Sequence, residues 1–230
     1  MCGNDCTVIV TDEGGLLATG ANRCNKLALI GEGDMSASTR SAAGMVATAE
    51  AHAITPVRAG PLKDVTVINV ALGANHMALL TSQGMVFTSG SNQFGQLGRP
   101  RAEGEQERAV HEQHGPGVVQ ALADCKVVAI ACGEAHTAAL TSANQLFMWG
   151  RHVSDGLSKP VRDALNRPVD CTPLPTAVPL PRRGLEDDNS EEGSVAQRGA
   201  VLHLAARYGR TAFVLAAHTV ESDGGDDAAI

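Results

Sequence analysis

The sequence predicts an all-β protein assembled from stacked hairpin units, and three observations carry that prediction. First, the stretch Ala71–Gly98, ALGANHMALLTSQGMVFTSGSNQFGQLG, holds two short apolar runs, Met77–Thr81 and Met85–Ser89, around a Ser82-Gln83-Gly84 turn. Gly84 can take the positive φ that such turns often need. Second, the pattern returns 60 residues later, with Gly133, His136, Leu140 and Thr141 standing where Gly73, His76, Leu80 and Thr81 stood. Asn144 replaces Gly84, and Asn is the residue next most tolerant of left-handed backbone. Third, at a shift of 70 residues towards the N-terminus, Thr11, Gly14, Gly20, Asn22 and Leu27 match Thr81, Gly84, Gly90, Asn92 and Leu97. A weaker copy is Leu204–Leu215, with Thr211-Ala212 over Thr137-Ala138. No single unit of this kind can bury its own apolar face, so repetition implies stacking.

Taken in order, the first unit opens on the hairpin Cys6–Gly20, with no strand before it comparable to Val65–Leu72. Ile30–Ala53 is rich in Ala, Ser and Gly and reads as an insertion, a short exposed helix or a loop. Its helix formers lie in Ala42–Ala53, weakened by Gly44 and Thr48. Ile54–Arg58 reads as an outer, edge-type strand in which Pro56 is tolerable. Val65–Leu72, rich in β-branched residues, suits an inner strand. That outer-then-inner order repeats, because Pro116–Gln120 precedes Val127–Cys132 and Pro175–Leu180 precedes Val201–Leu204. The units therefore lie near residues 1–58, 59–120, 121–180 and 200–220. Arg99–Gly115 and Arg151–Thr172 are polar excursions between them. Pro181–Gln197, within an acidic insertion over 181–199, has too few apolar groups to offset ordering entropy, so disorder is expected. The acidic tail 221–230 is expected to fray.

The pattern GxxHxxAL…G.vf.wG.n..GQLG resembles the repeat of the regulator of chromosome condensation family. Gly73, His76, Leu80, Gly84, Val86, Phe87, Gly90, Asn92, Gly95, Gln96, Leu97 and Gly98 carry the match, while Leu79 departs from the pattern's alanine. Gly133, His136, Ala139, Leu140, Phe147, Trp149 and Gly150 carry it in the next unit. The resemblance implies a β-propeller with four-stranded blades, seven in the closed family form. Three good units and one weak unit imply an incomplete propeller of about three to four blades, or a piece of a longer propeller protein. The N-terminal hairpin is similar to the propellers that accompany NimA-related kinases.

Composition limits the function classes. A net charge of −7 argues against general nucleic-acid binding, which needs clustered Lys and Arg. No apolar window reaches membrane-spanning length, and MCGNDCTVIV lacks the basic start and apolar core of a signal peptide. The six cysteines are dispersed without a CxxC, so reduced thiols in the cytoplasm or nucleus are expected, without zinc. His111-Glu112-Gln113-His114 places its histidines three apart, not the four a zincin helix requires. No phosphate cradle, nucleophile elbow or catalytic set appears, and neither a catalytic site nor a cofactor is expected. His76 and His136 share one repeat position that Cys6 and Arg210 fill in the other units, which marks a structural role. Gly73, Gly84, Gly90, Gly95, Leu97, Gly98, Gly133, Trp149 and Gly150 are the other structural repeat positions.

The expected function is therefore non-enzymatic: a protein-binding scaffold whose loops recognise a partner. The family resemblance implies regulatory or docking domains of kinases, ubiquitin ligases or trafficking proteins. It also implies an alternative, guanine-nucleotide exchange on a Ran-like small GTPase. Expected contact residues lie in the polar excursions: Arg101, Arg108, Arg182, Arg183, Glu186, Asp187 and Asp188. In 92–97, Phe94 and Leu97 are expected to pack while Asn92 and Gln96 bond backbone. An open arc leaves blade edges bare, so self-association is expected as well.

Overall fold

A computed structural model describes residues 1–3, 5–29, 51–57, 62, 65–100, 113–151, 161–162, 168–169, 171–179, 201–207 and 210–215. Apart from 3-10 turns at Arg23–Asn25, at Leu62 and at Gln120–Leu122, the regular structure among these residues is strand. The fold is an incomplete β-propeller of successive antiparallel sheets. Blade 1 comprises β1 (Cys6–Val10), β2 (Leu16–Gly20) and β3 (Ala51–Pro56). Blade 2 is the meander β4 (Val67–Leu72), β5 (His76–Thr81), β6 (Val86–Ser91) and β7 (Gln113–Val118). Blade 3 repeats it with β8 (Val127–Cys132), β9 (His136–Thr141), β10 (Leu146–Arg151) and, beyond the small hairpin β11 (Val161–Arg162)–β12 (Pro168–Val169), β13 (Cys171–Val178). Blade 4 contributes β14 (Val201–Arg207) and β15 (Arg210–Leu215).

In blades 2 and 3 the central strands β5, β6 and β9 are buried at every position, which is why these runs are apolar without strict alternation. Along β5, Met77 and Leu79 pack with Phe87 against Val8, Leu16 and Ala18 of blade 1. The intervening Ala78 and Leu80 pack with Val86 against Ile130, Ala139 and Trp149 of blade 3. Blade 3 does the same towards blade 4, where Ala138, Leu140 and Leu146 meet Leu204. Successive side chains of a strand point to opposite sides of its sheet, so blades 2 and 3 are each packed against both neighbours.

The hairpin turns are three copies of one device. Gly14, Gly84 and Asn144 donate their N–H to the carbonyls of Thr11, Thr81 and Thr141 at 2.9, 2.9 and 3.0 Å. All three residues have positive φ, 78, 82 and 56°, so Asn144 does what the sequence expects of it. The turns also tie one blade to the next. The Val67 N–H donates to the Gly14 carbonyl at 3.1 Å, and the Val127 N–H to that of Gly84 at 3.0 Å.

Several sequence boundaries shift. The predicted insertion Ile30–Ala53 is too long, because β3 already begins at Ala51. The strand expected over Pro175–Leu180 starts earlier, at Cys171, and ends at Val178; pairing with β10 extends it across the proline-rich start. As expected, no strand precedes β1 in blade 1 among the described residues. Met1–Gly3 makes only a single bridge there, Cys2 to Thr7, and the Gly3 N–H donates to the Cys6 carbonyl at 2.7 Å, as Gly73 does to His76. The helix or loop expected within 31–50, the expected disorder of 181–199 and the tail 221–230 lie outside the described residues.

Gly90 shows how closely the blades are wound. Its φ is 109°, and a Cβ there would stand 2.4 Å from the Asn75 carbonyl oxygen and 2.8 Å from the His76 Cα. Gly90→Ala is expected to lower unfolding free energy by roughly 1–3 kcal/mol from backbone strain alone. Gly15→Ala, where an added Cβ meets only the Thr11 hydroxyl at 3.1 Å, is expected to cost far less. Urea denaturation of the two variants measures the difference.

Candidate functional site

The loop that closes blade 2 is also the latch onto blade 3. The Asn92 side-chain oxygen accepts the Leu97 N–H at 3.1 Å, and the Gln96 side-chain oxygen accepts the Phe94 N–H at 2.8 Å. Leu97 is fully buried and Phe94 nearly so. The Thr88 hydroxyl holds the loop to its own blade by donating to the Leu97 carbonyl at 2.8 Å. The Gln96 carbonyl is then caught by blade 3, accepting from the Thr137 hydroxyl at 2.8 Å and from the Trp149 indole N–H at 2.9 Å.

His76 joins this seam from the other side. Its Nε2 lies 3.0 Å from the Thr137 hydroxyl, whose single proton already goes to Gln96, so the ring donates through Nε2–H. Burial first, then the neighbouring His136, push the His76 pKa down from 6.5 to about 3, so the ring is neutral. Among the described residues its Nδ1 has no hydrogen-bond partner. Cys132, beside them, is pushed up to about 12 by burial and stays a thiol. A neutral ring without an exposed face and a thiol held protonated join sheets; they do not attack substrates.

The seam between blades 1 and 2 has the same frame with different side chains. Asn22 accepts the Leu27 N–H at 2.8 Å, and the Lys26 carbonyl accepts the Ser89 hydroxyl at 2.8 Å. Lys26, in the Gln96 slot, is fully buried; its ammonium donates to the Asp5 carboxylate and to the Ala74 carbonyl at 3.0 Å, crossing to blade 2. Sequence reading missed Lys26 and Asp5, although the 70-residue shift that aligns Asn22 with Asn92 also aligns Lys26 with Gln96.

A depression of about 630 Å³ opens where the inner strands end, lined by Met1–Gly3, Ala71–Ala74, Ile130–Glu134 and Leu204–Ala206. Its walls are largely backbone and small side chains, with Glu134 the one carboxylate among them. Sequence reading missed it too, though Gly3 and Cys6 carry the spacing of Gly73 and His76. Among the described residues no cluster of three His, Cys, Asp or Glu could hold a metal ion.

The predicted repeat positions Gly73, His76, Gly84, Gly90, Gly95, Leu97, Gly98, Gly133, His136, Trp149 and Gly150 all lie in the strand ends, turns and latches of blades 2 and 3. Arg101, Arg108, Arg182, Arg183, Glu186, Asp187 and Asp188 lie outside the described residues. The base of the loop carrying Arg101 and Arg108 is described: Arg99 donates from Nη2 to the Gly115 carbonyl at 3.0 Å, clipping its two ends together.

Comparison with known proteins matches the regulator of chromosome condensation (RCC1) repeat over residues 83–140, and a second form of the repeat over 67–96 and 127–154. The chain is 36% identical over 98 residues to the serine/threonine-protein kinase Nek8 of Danio rerio, covering 43% of this chain and 14% of that protein. It is 33% identical over 144 residues to the secretion-regulating guanine nucleotide exchange factor of Bos taurus, covering 63% and 25%. Its fold is similar to that of yeast RCC1 (Prp20), solved with Kap60 bound, at a TM-score of 0.60 and 20% identity, over 93% of this chain and 40% of that one. The chain thus spans well under half the length of each of these relatives.

Two outcomes test the seam. Thr137→Val leaves the buried His76 Nε2–H without an acceptor and is expected to cost roughly 1–3 kcal/mol in urea unfolding. Trp149→Phe leaves the Gln96 carbonyl its Thr137 donor but empties part of a fully buried site, and is expected to cost a comparable amount through that cavity. The low His76 pKa also sets a pH dependence. Between pH 6.5 and about 3 the unfolded chain binds a proton that the fold refuses, so this stability is complete above 6.5 and lost as pH falls through that window. The slope reaches at most about 1.4 kcal/mol per pH unit, and His76→Gln is expected to flatten it in unfolding measured from neutral pH downwards.

Proposed function

Because this chain carries RCC1 repeats, we propose that it serves as a non-catalytic protein-binding scaffold, a regulatory domain or docking partner of a kinase or ubiquitin ligase. The observation that carries this reading is the clipped loop base at Arg99 and Gly115 on a blade locked to both neighbours. A loop sprung from a fixed base presents its side chains to a partner at lower ordering cost than a free tail. Arg101 and Arg108 on that loop, with Arg182, Arg183, Glu186, Asp187 and Asp188 in the acidic insertion, are the proposed contact residues. The likeness to Nek8 favours a kinase-linked setting.

A second reading, guanine-nucleotide exchange on a Ran-like small GTPase, draws on the similarity to the exchange factor of Bos taurus. One pair of measurements separates the two. Affinity capture from cells, read by mass spectrometry, is expected to recover a kinase or ubiquitin-pathway protein with the native chain. Arg101→Glu/Arg108→Glu is expected to lose that protein while keeping its circular dichroism spectrum. Acceleration of fluorescent-nucleotide release from a Ran-like GTPase would instead select exchange. Capture unaffected by the charge reversal would remove the loop from the contact.

A further inference from the structure

The latches of blades 1 and 2 share a backbone but not their residue types. Shifted by 70 residues, Asn25 stands at Gly95 and Ala28 at Gly98. The backbone bonds coincide as well. The Asn25 and Ala28 N–H groups donate to the Asn22 and Asn25 carbonyls at 3.0 and 2.9 Å. Those of Gly95 and Gly98 donate to the Asn92 and Gly95 carbonyls at 3.0 and 2.9 Å. This geometry asks for left-handed backbone, with φ of 76° at Gly95 and 65° at Gly98. Glycine takes it freely, whereas most residues with a Cβ are strained there.

The latch of blade 1 meets that demand without a glycine. Among the described residues four that carry a Cβ have positive φ, and three of them lie here: Cys24 at 54°, Asn25 at 53° and Ala28 at 53°. Asn25 is of a tolerant type, and its side-chain oxygen accepts from the Asn22 amide at 3.2 Å. Cys24 and Ala28 are not, and the fully buried Ala28 has no polar side chain to offset the strain. Strain of this kind persists only where its surroundings hold it, and it gathers in segments that switch.

Lys26 is what holds the segment down. Its ammonium bonds Asp5 and the Ala74 carbonyl, and Asp5, 30% exposed, also faces Arg23 at 3.7 Å. Cys6, beside Asp5, is buried, and burial raises its thiol pKa against the pull of the neighbouring Lys26 ammonium. We infer that Asn22–Ala28 is a strap that opens locally, carrying Lys26 away from Asp5 and uncovering Cys6, while the Asn92–Gly98 latch stays shut. Opening relaxes the left-handed residues and returns a buried charge to water. The glycine-built latch of blade 2, which seats the neutral Gln96 in that slot, gains neither.

Pulse labelling with N-ethylmaleimide, read thiol by thiol by peptide mass spectrometry, tests the strap. In the native chain Cys6 is expected to react at a rate that low urea leaves unchanged, the mark of a local opening. Cys132, buried between blades 2 and 3, is expected to react more slowly and with a steep urea dependence. Ala28→Gly removes strain without removing a contact partner, and is expected to slow Cys6 about three- to tenfold. Asp5→Asn leaves the buried ammonium without its counter-charge and is expected to speed Cys6 at least about tenfold, with Cys132 little changed. Cys6 and Cys132 reacting at one rate with one urea dependence would mean a single cooperative opening and would overturn the inference. A Cys6 rate that Ala28→Gly leaves unchanged or raises overturns it as well.

Discussion

The structure rests on central strands that have no solvent side. β5, β6 and β9 are buried at every position. Such a strand cannot exist in an isolated hairpin, because one of its apolar faces would stay in water at about 25 cal/mol per Å². Each blade therefore depends on the one before and the one after, and stability is shared between nearest neighbours. The three hairpin turns follow from this. They are short and alike in winding, and the residues closing the first two, Gly14 and Gly84, also bond the first strand of the next blade.

Polar groups trapped between two such faces have to be paired within the seam. The acceptor common to both seams is a backbone carbonyl, that of Lys26 or Gln96. Its donor comes from the next blade and differs, Ser89 in one seam and both Thr137 and Trp149 in the other. The second seam is filled by the chain's single tryptophan, which packs its indole against Gly98, where a Cβ would come within 2.7 Å of the ring nitrogen.

The all-β class, the repeat spacing and the hairpins at Thr81 and Thr141 were legible in the sequence because they depend on local chemistry: apolar runs, a turn residue, a fixed interval. The latch was legible too, since Asn92 and Gln96 bond within five residues of themselves. What could not be read was which partner each side chain finds across a seam. Thr137 to Gln96 spans 41 residues and Lys26 to Ala74 spans 48, distances over which no sequence interval fixes geometry. The boundaries of β3 and β13 were missed for a related reason. Ala51–Ala53 has little strand propensity and Cys171–Thr172 runs into Pro173, yet both are strand because β2 and β10 offer them ladder partners.

The use of a backbone carbonyl as the common acceptor explains how the seams keep their geometry while their side chains diverge. Because residue 26 or 96 contributes its C=O to the next blade, its side chain is released for other work. Gln96 spends that freedom inside its own loop, on the Phe94 N–H. Lys26 spends it across the seam, carrying a fully buried ammonium to Asp5 and the Ala74 carbonyl. A buried cation is tolerable only when its partners are fixed, since removing one leaves the other charge without solvent. The first seam is thus held by an ion pair whose carboxylate is 30% exposed, and the second by neutral groups sealed from water. Salt reaches the first seam through the partly exposed Asp5 carboxylate, while the second loses stability as pH falls towards the protonation of His76.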